Sequence, residues 1–259
     1  MQVIVKSIPR TLSSRHFAPL QPTAAPSLSA NPSHRTSFCS AHANPTSCPD
    51  TLAALLKRNK EWAARTALQY PCLFPDQEKR QEPDILWIGC SDSRCPETTL
   101  LDLQPGDVFV HRNIANLLHP ADLSSTAVIE YAIRYLEVKH VVICGHRNCG
   151  GVAAVMEDKS YGILDPWLLP LRELREAHQD ELDSLPTETA ALKLVELNVL
   201  AGVKKLKRMN VVVEEMRKGL RVYGLVYDVG SGILQELVTG KSDKVIKRQF
   251  TSESFKSEL

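Results

Sequence analysis

Three side chains able to hold a metal ion stand in two short motifs. Cys90 lies in Gly89-Cys90-Ser91-Asp92-Ser93-Arg94, and His146 and Cys149 lie in Gly145-His146-Arg147-Asn148-Cys149-Gly150-Gly151. Two thiolates and one imidazole make a three-ligand set for zinc, and a catalytic zinc keeps three protein ligands and one open position. A structural zinc site would want a fourth Cys or His. Cys95 is the nearest candidate, and Arg94 and the chain direction are expected to carry it away. Read singly, a cysteine at a strand end is a small core residue, and an H-x-x-C is an accident of a helix cap. Asp92 and Arg94 flank the metal position. A guanidinium beside a carboxylate keeps it ionised and fixes its orientation, so Asp92 could accept a hydrogen bond from a zinc-bound water or hydroxide. The plainer alternative has Asp92 capping the next helix and Arg94 as its solvated partner.

The elements that must position these groups are readable from hydrophobic periodicity. Residues 84–89 (D-I-L-W-I-G), 108–111 and 140–144 (H-V-V-I-C) read as short apolar strands. Helices are expected over 51–67, capped by Asp50 and ended by Pro71 and Pro75, over 123–137, from 150–151 onward, and over 166–183, 187–208 and 211–218. Residues 220–229 and 233–238 form a hairpin closed by Gly230-Ser231-Gly232. Apolar strands alternating with helices predict an α/β fold. Its mainly parallel central sheet is flanked by helices, with an antiparallel edge hairpin and an N-terminal helical arm. Residues 1–49 read as a leader, 50–71 as the arm and 72–259 as one α/β zinc-binding catalytic domain. Ligands of such sheets sit at the carboxyl ends of strands, which is where Cys90, His146 and Cys149 fall.

The net charge of +1 over 259 residues hides an asymmetry. Residues 1–49 carry Lys6, Arg10, Arg15 and Arg35 and no acid, leaving 27 basic against 30 acidic residues in the rest. A basic, Ser- and Pro-rich, acid-free start reads as an organelle transit peptide, mitochondrial (matrix) before plastid, with a cytoplasmic tail of no address as the alternative. No run approaches the ~18–20 apolar residues of a membrane span. Seven cysteines without framework spacing point to free thiols. The body has no basic stripe, so nucleic acid is not an expected partner.

C-S-D-S-R, then Arg112-Asn113-Ile114-Ala115-Asn116, then H-x-x-C-G-G, in that order, resemble the β-class carbonic anhydrases over roughly residues 76–240. The resemblance implies one zinc per subunit on Cys90, His146 and Cys149, and an Asp92–Arg94 catalytic dyad orienting a zinc-bound hydroxide. The reaction implied is the reversible hydration of CO₂ to bicarbonate. Gln81 and Gly150 would bind substrate. Gln81 matches a position that reaches a neighbouring subunit's site, implying a homodimer as the minimal unit and a homotetramer as the expected assembly. Trp87, Arg112 and Tyr227 match the branch that carries a second, regulatory bicarbonate site. In that branch's closed state Asp92 leaves Arg94 for the metal. Cys95 and Leu225 depart from that branch, which has an aliphatic residue at the first position and, in some relatives, an aromatic at the second.

Other classes leave marks that can be weighed. A zinc scaffold without catalysis would not need the Asp92–Arg94 pair. A hydrolase of CS₂ or COS would share the metal set and differ at the pocket entrance. The Asp228-Val229-Gly230-Ser231-Gly232 run resembles a dinucleotide-binding glycine loop but leads into a strand, so the context fails.

Overall fold

A computed structural model describes residues 52–119, 122–157 and 159–239 and the backbone of a short strand at 245–247. The Asp50 cap and the leader lie outside the described residues. The chain divides into two compact units, Met1–Glu61 and Trp62–Leu259. Only the opening of the first helix is described in the former.

The elements run α1 (Leu52–Gln69), α2 (Leu73–Lys79), β1 (Ile85–Cys90), α3 (Glu97–Leu100), β2 (Val108–Asn113), α4 (Leu123–Arg134), β3 (His140–His146) and α5 (Gly150–Met156). They continue with α6 (Leu164–Ala177), α7 (Gln179–Asp183), α8 (Thr187–Leu206), α9 (Asn210–Met216), β4 (Arg221–Asp228), β5 (Ile233–Thr239) and β6 (Val245–Lys247). The sheet order is β2-β1-β3-β4-β5-β6. The β2, β1, β3 and β4 pairings are parallel, and the β4–β5 and β5–β6 pairings are antiparallel.

β1 and β3 each lie between two strands and are buried along all but their first residue. Leu86, Ile88, Val141 and Ile143 enter the main core, with Leu194, Val199 and Val203 of α8 in the same cluster. Alternate residues face the other way, so Trp87, Val142, Cys144, Leu225 and Tyr227 form a smaller cluster on the opposite face. Helix α8 seats unusually close to the sheet. A Cβ on Gly145 would lie 2.9 Å from both Val195 Cγ1 and Val199 Cγ2, and one on Gly202 would overlap Ile143 Cδ1.

Four local expectations are corrected. Helix α1 stops at Gln69, ahead of Pro71, whereas Pro75 ends nothing and sits in the first turn of α2. A proline there has no intrahelical hydrogen bond to remove. The helix expected over 166–183 is two, α6 and α7, broken at His178, whose φ of −121° leaves the helical range. Strand β2 runs on past His111 to Asn113, because the register continues through Gly89↔Arg112 and Cys90↔Asn113. Its polar end hides it from a hydrophobicity reading. Helix α4 ends at Arg134, short of 137, and Glu137 takes a left-handed φ of 53°.

Candidate metal centre

β1 ends on Cys90 and the adjacent parallel strand β3 ends on His146. The turn after β3 then delivers Cys149 at the start of α5. The topology therefore places the three residues together. Their ligand atoms all lie within 4.8 Å of one another, and the two sulfurs are 4.0 Å apart. All three residues are buried.

His146 is oriented by its own loop. Its Nδ1 is 2.9 Å from the Arg147 carbonyl and donates to it, so Nε2 is the nitrogen that faces the sulfurs and is left to a metal once its proton is displaced. Nε2 is buried and has no protein hydrogen-bond partner. A buried imidazole nitrogen left unpaired costs about 1–3 kcal/mol, and a metal ion between it and the two sulfurs would remove that cost. The donor set therefore fits a soft-to-borderline divalent ion such as zinc.

The ionisation of the group follows from its crowding. Cys149 hydrogen-bonds Cys90 and lowers its pKa, while burial opposes; His146 and the amides of Asp92 and Ala115 lower it further. The same sulfur–sulfur contact, then burial, raises Cys149, against the amides of Val152 and Gly151. Burial alone would lower the His146 imidazole, but the neighbouring Cys90 and Cys95 sulfurs favour the charged ring and raise its pKa to about 10.

Asp92 is held by Arg94 from three directions. Arg94 donates from its backbone N and from Nε to Oδ1, both at 2.9 Å, and from NH2 to Oδ2 at 2.7 Å. The guanidinium holds the carboxyl well below the usual carboxylate range, against a desolvation cost. Arg94 NH2 also donates to the Asn148 carbonyl at 3.1 Å, tying the dyad to the loop between His146 and Cys149. Asp92 Oδ2 lies 3.8 Å from His146 Nε2, beside the metal position. The helix-cap alternative for Asp92 is set aside, since α3 begins at Glu97 and Pro96 precedes it.

The remaining singled-out residues divide. Arg112 donates from Nε to the Cys90 carbonyl at 2.8 Å and from NH2 to the Asp92 carbonyl, with Glu97 Oε2 3.9 Å from its NH1. Trp87 and Tyr227 are both buried in the smaller cluster, and Tyr227 is paired in register with His146. Gly150 opens α5, with no atom within 4 Å of where a Cβ would stand. Gln81 is exposed in the segment between α2 and β1, outside the three-ligand group. His111 Nε2 lies 3.1 Å from Asn113 Nδ2, and His119 stacks on Trp167 with ring centroids 6.0 Å apart.

Cys95 is carried out of the three-ligand group, as expected. Its amide donates to the Asp92 carbonyl at 3.1 Å, a turn that folds the chain back and buries the thiol beside Trp87, Cys144 and Tyr227. Its sulfur remains outside the three-atom group.

The sequence reading missed the underside of the site. Ala115 and Asn116 have left-handed φ values of 60° and 46°, a conformation that costs about 1–3 kcal/mol per non-glycine residue and persists only where its surroundings impose it. They are imposed here by Asn113, which brackets Leu117 with bonds of 2.7 and 2.8 Å, by Trp167 Nε1 on the Ile114 carbonyl at 3.0 Å, and by Asn198 Nδ2 on the Ala115 carbonyl at 2.9 Å. Nothing in the spacing of Asn198 marks it, since it is one of several polar residues along α8. A groove of about 910 Å³ opens where β3 and β4 begin, at the far end of the strands from this site.

A carbonic anhydrase family model matches residues 85–234. The chain is 40% identical over 186 residues to the carbonic anhydrase of Emericella nidulans, covering 71% of this chain and 82% of that one. It is similar to the crystal structure of the β-carbonic anhydrase CafA of Aspergillus fumigatus, at 59% identity and a TM-score of 0.72, over 74% of this chain and 92% of that one. A structure from a report on two tetrameric β-carbonic anhydrases of Sordaria macrospora is 49% identical, with a TM-score of 0.70, over 71% and 95% of the two chains. Because the matched segment spans more than half of the chain and carries the Cys-His-Cys group, the chain belongs to the β-class carbonic anhydrases and is a carbonate dehydratase.

Proposed function

We propose that Cys90, His146 and Cys149 hold one zinc ion per subunit and that Asp92 and Arg94 work beside it in the reversible hydration of CO₂ to bicarbonate and a proton. The observation that carries this reading is His146 Nε2, buried without a partner and facing two sulfurs 4.0 Å apart. Bound zinc supplies Lewis acidity that makes hydroxide available from water near neutral pH. Asp92 stays ionised throughout that range because Arg94 stabilises its charge. It can therefore only accept, which orients a donor beside the metal. Arg94 fixes the carboxylate and, through Asn148, the loop that holds the ligands. Gly150 leaves open space beside Cys149 for a small substrate, and Gln81 stands exposed, free to serve a neighbouring subunit.

Metal analysis with stopped-flow CO₂ hydration, on the wild type and on Cys90→Ser, tests the reading. We expect one zinc per chain in the wild type, and loss of both zinc and turnover in the variant. Full turnover by zinc-free Cys90→Ser would overturn it.

A second bicarbonate site at Trp87, Arg112 and Tyr227 is part of the proposal. Arg112 binds the carbonyls of Cys90 and Asp92. An anion that recruited Arg112 would therefore release the segment that carries Asp92. With Oδ2 3.8 Å from His146 Nε2, the carboxylate has a short path onto the metal position. A homo-oligomer is supported by the tetrameric Sordaria macrospora proteins and by the exposed Gln81. A mitochondrial destination rests on the basic, acid-free leader and on a 26% identical relative named as a mitochondrial β-carbonic anhydrase of Arabidopsis thaliana. Among the described residues, no helix is long and apolar enough to cross a membrane.

A further inference from the structure

The turn between two of the proposed ligands uses a backbone conformation that most residues avoid. Asn148 stands between His146 and Cys149 with a φ of 56°. That is the left-handed region, where asparagine is enriched and β-branched residues are outliers. Asn148 is exposed, so packing of its side chain does not call for that conformation. The reason lies in the two peptides that meet at its Cα. The peptide before it carries the Arg147 carbonyl, which accepts from His146 Nδ1 at 2.9 Å. The peptide after it carries the Asn148 carbonyl, which accepts from Arg94 Nη2 at 3.1 Å. The turn is anchored on both sides. Arg147 N donates to the Tyr227 carbonyl at 2.9 Å, and Arg147 Nη1 to Asp228 Oδ2 at 3.2 Å. Beyond the turn, the Cys149 carbonyl accepts from the Ala153 amide at 2.9 Å as α5 begins. With both ends held, the two carbonyls reach their donors only while the residue between them stays left-handed.

We propose that Asn148 is a positioning residue that sets two groups of the metal centre with one backbone conformation. The peptide ahead of it fixes the ring of His146, so that Nε2 faces the sulfurs. The peptide behind it holds the guanidinium of Arg94, which in turn holds Asp92. The two dihedrals of a single residue fix the angle between those peptides, so the ligand ring and the dyad keep a constant relation. Hydrogen-bond partners that orient a ligand imidazole are worth about 10–100-fold in metal affinity. What the position requires is a residue that accepts positive φ, which glycine supplies as well as asparagine. The side-chain amide is not required. The inference rests on the zinc reading proposed above.

The test uses the full chain, with zinc affinity measured by competition with a chromophoric chelator and turnover by stopped-flow CO₂ hydration at saturating zinc. Wild type, Asn148→Val, Asn148→Gly and Glu137→Val are compared. Glu137 is also exposed and left-handed, with a φ of 53°, but it precedes β3 and so lies at the other end of that strand from the ligands. Valine opposes the left-handed conformation at both positions, so both valine variants should melt below the wild type. Only Asn148→Val should lose turnover and zinc affinity, the latter by about 10-fold or more. Asn148→Gly should bind zinc like the wild type. Wild-type affinity in Asn148→Val, or an equal loss in Glu137→Val, overturns the proposal by making the turn a matter of stability alone. A loss in Asn148→Gly as large as in Asn148→Val overturns it too, because the side chain would then be the agent. Should Asn148→Val not fold, Asn148→Ala, which opposes positive φ more mildly, is read in its place, and wild-type affinity there overturns the proposal equally. A wild type that takes up no zinc would overturn the metal reading itself, and this inference with it.

Discussion

Gly145 and Gly150 stand five residues apart around His146 and Cys149, and the same substitution at each should have opposite consequences. Neither has the positive φ that would demand glycine, so the outcome is set by space alone. A methyl on Gly145 would lie 2.9 Å from two methyl carbons of α8, Val195 Cγ1 and Val199 Cγ2. Carbon atoms prefer about 3.5–4.0 Å, so β3 and α8 must separate by more than half an ångström. Overpacking of that kind costs roughly 1–3 kcal/mol. For a domain of this size each kcal/mol is worth about 2–4 °C, so Gly145→Ala should melt roughly 2–12 °C lower. Gly150 is the first residue of α5 and meets nothing within 4 Å. Alanine there gains helix propensity of at most about 0.5–1 kcal/mol, holding or slightly raising the melting temperature. The new methyl would nevertheless intrude on the space proposed for substrate, so turnover should fall in Gly150→Ala while stability does not. Differential scanning calorimetry with stopped-flow CO₂ hydration separates the two. The reasoning is refuted if Gly145→Ala melts at the wild-type temperature, or if Gly150→Ala is the less stable of the pair.

Three further outcomes are expected. Asp92→Asn should retain zinc and lose about 10²–10⁴-fold in turnover, the range typical of a positioned proton-transfer group; wild-type rates by stopped flow would remove Asp92 from the mechanism. In the metal-free site His146 and Cys149 are raised and Cys90 is lowered. At pH 7 the first two are therefore protonated, and zinc should displace about two protons on binding, read from calorimetry in buffers of different ionisation enthalpy; buffer-independent heat would contradict it. Trp87→Phe and Tyr227→Phe should leave zinc content unchanged while altering the response of CO₂ hydration to added bicarbonate, and an unaltered response in both would dismiss the second site.

What was legible in the sequence is what local pattern encodes. The apolar runs before Cys90 and His146 announce two buried strands, and parallel strands put their carboxyl ends on one side of a sheet. The convergence of Cys90, His146 and Cys149 follows from that alone. That Cys95 stays out of the group was expected, but the turn that buries it, a backbone bond from its own amide to the Asp92 carbonyl, is something residue types do not advertise. Ala115 and Asn198 were invisible for a related reason. What Ala115 offers Asn198 is a backbone carbonyl, common to every residue, and the two meet only through tertiary packing across 83 residues. His178 breaks a helix although no proline or glycine marks the point.

The parallel pairing of β1 with β3 also has a consequence in time. The two sulfurs belong to residues 59 positions apart, and the segment between them contains the whole of β2 and α4. No local turn can assemble such a pair, so the metal pocket waits for non-local strand pairing, the slow part of folding. It waits further for α8, synthesised later still, to bring Asn198 under Ala115. The buried apolar cluster of Leu86, Ile88, Val141, Ile143, Leu194 and Val199 needs no ion to form. The proposed metal would thus meet a finished architecture, unlike the small zinc modules that are unfolded without it. A stripped chain should keep its shape and wait, ready to be reloaded.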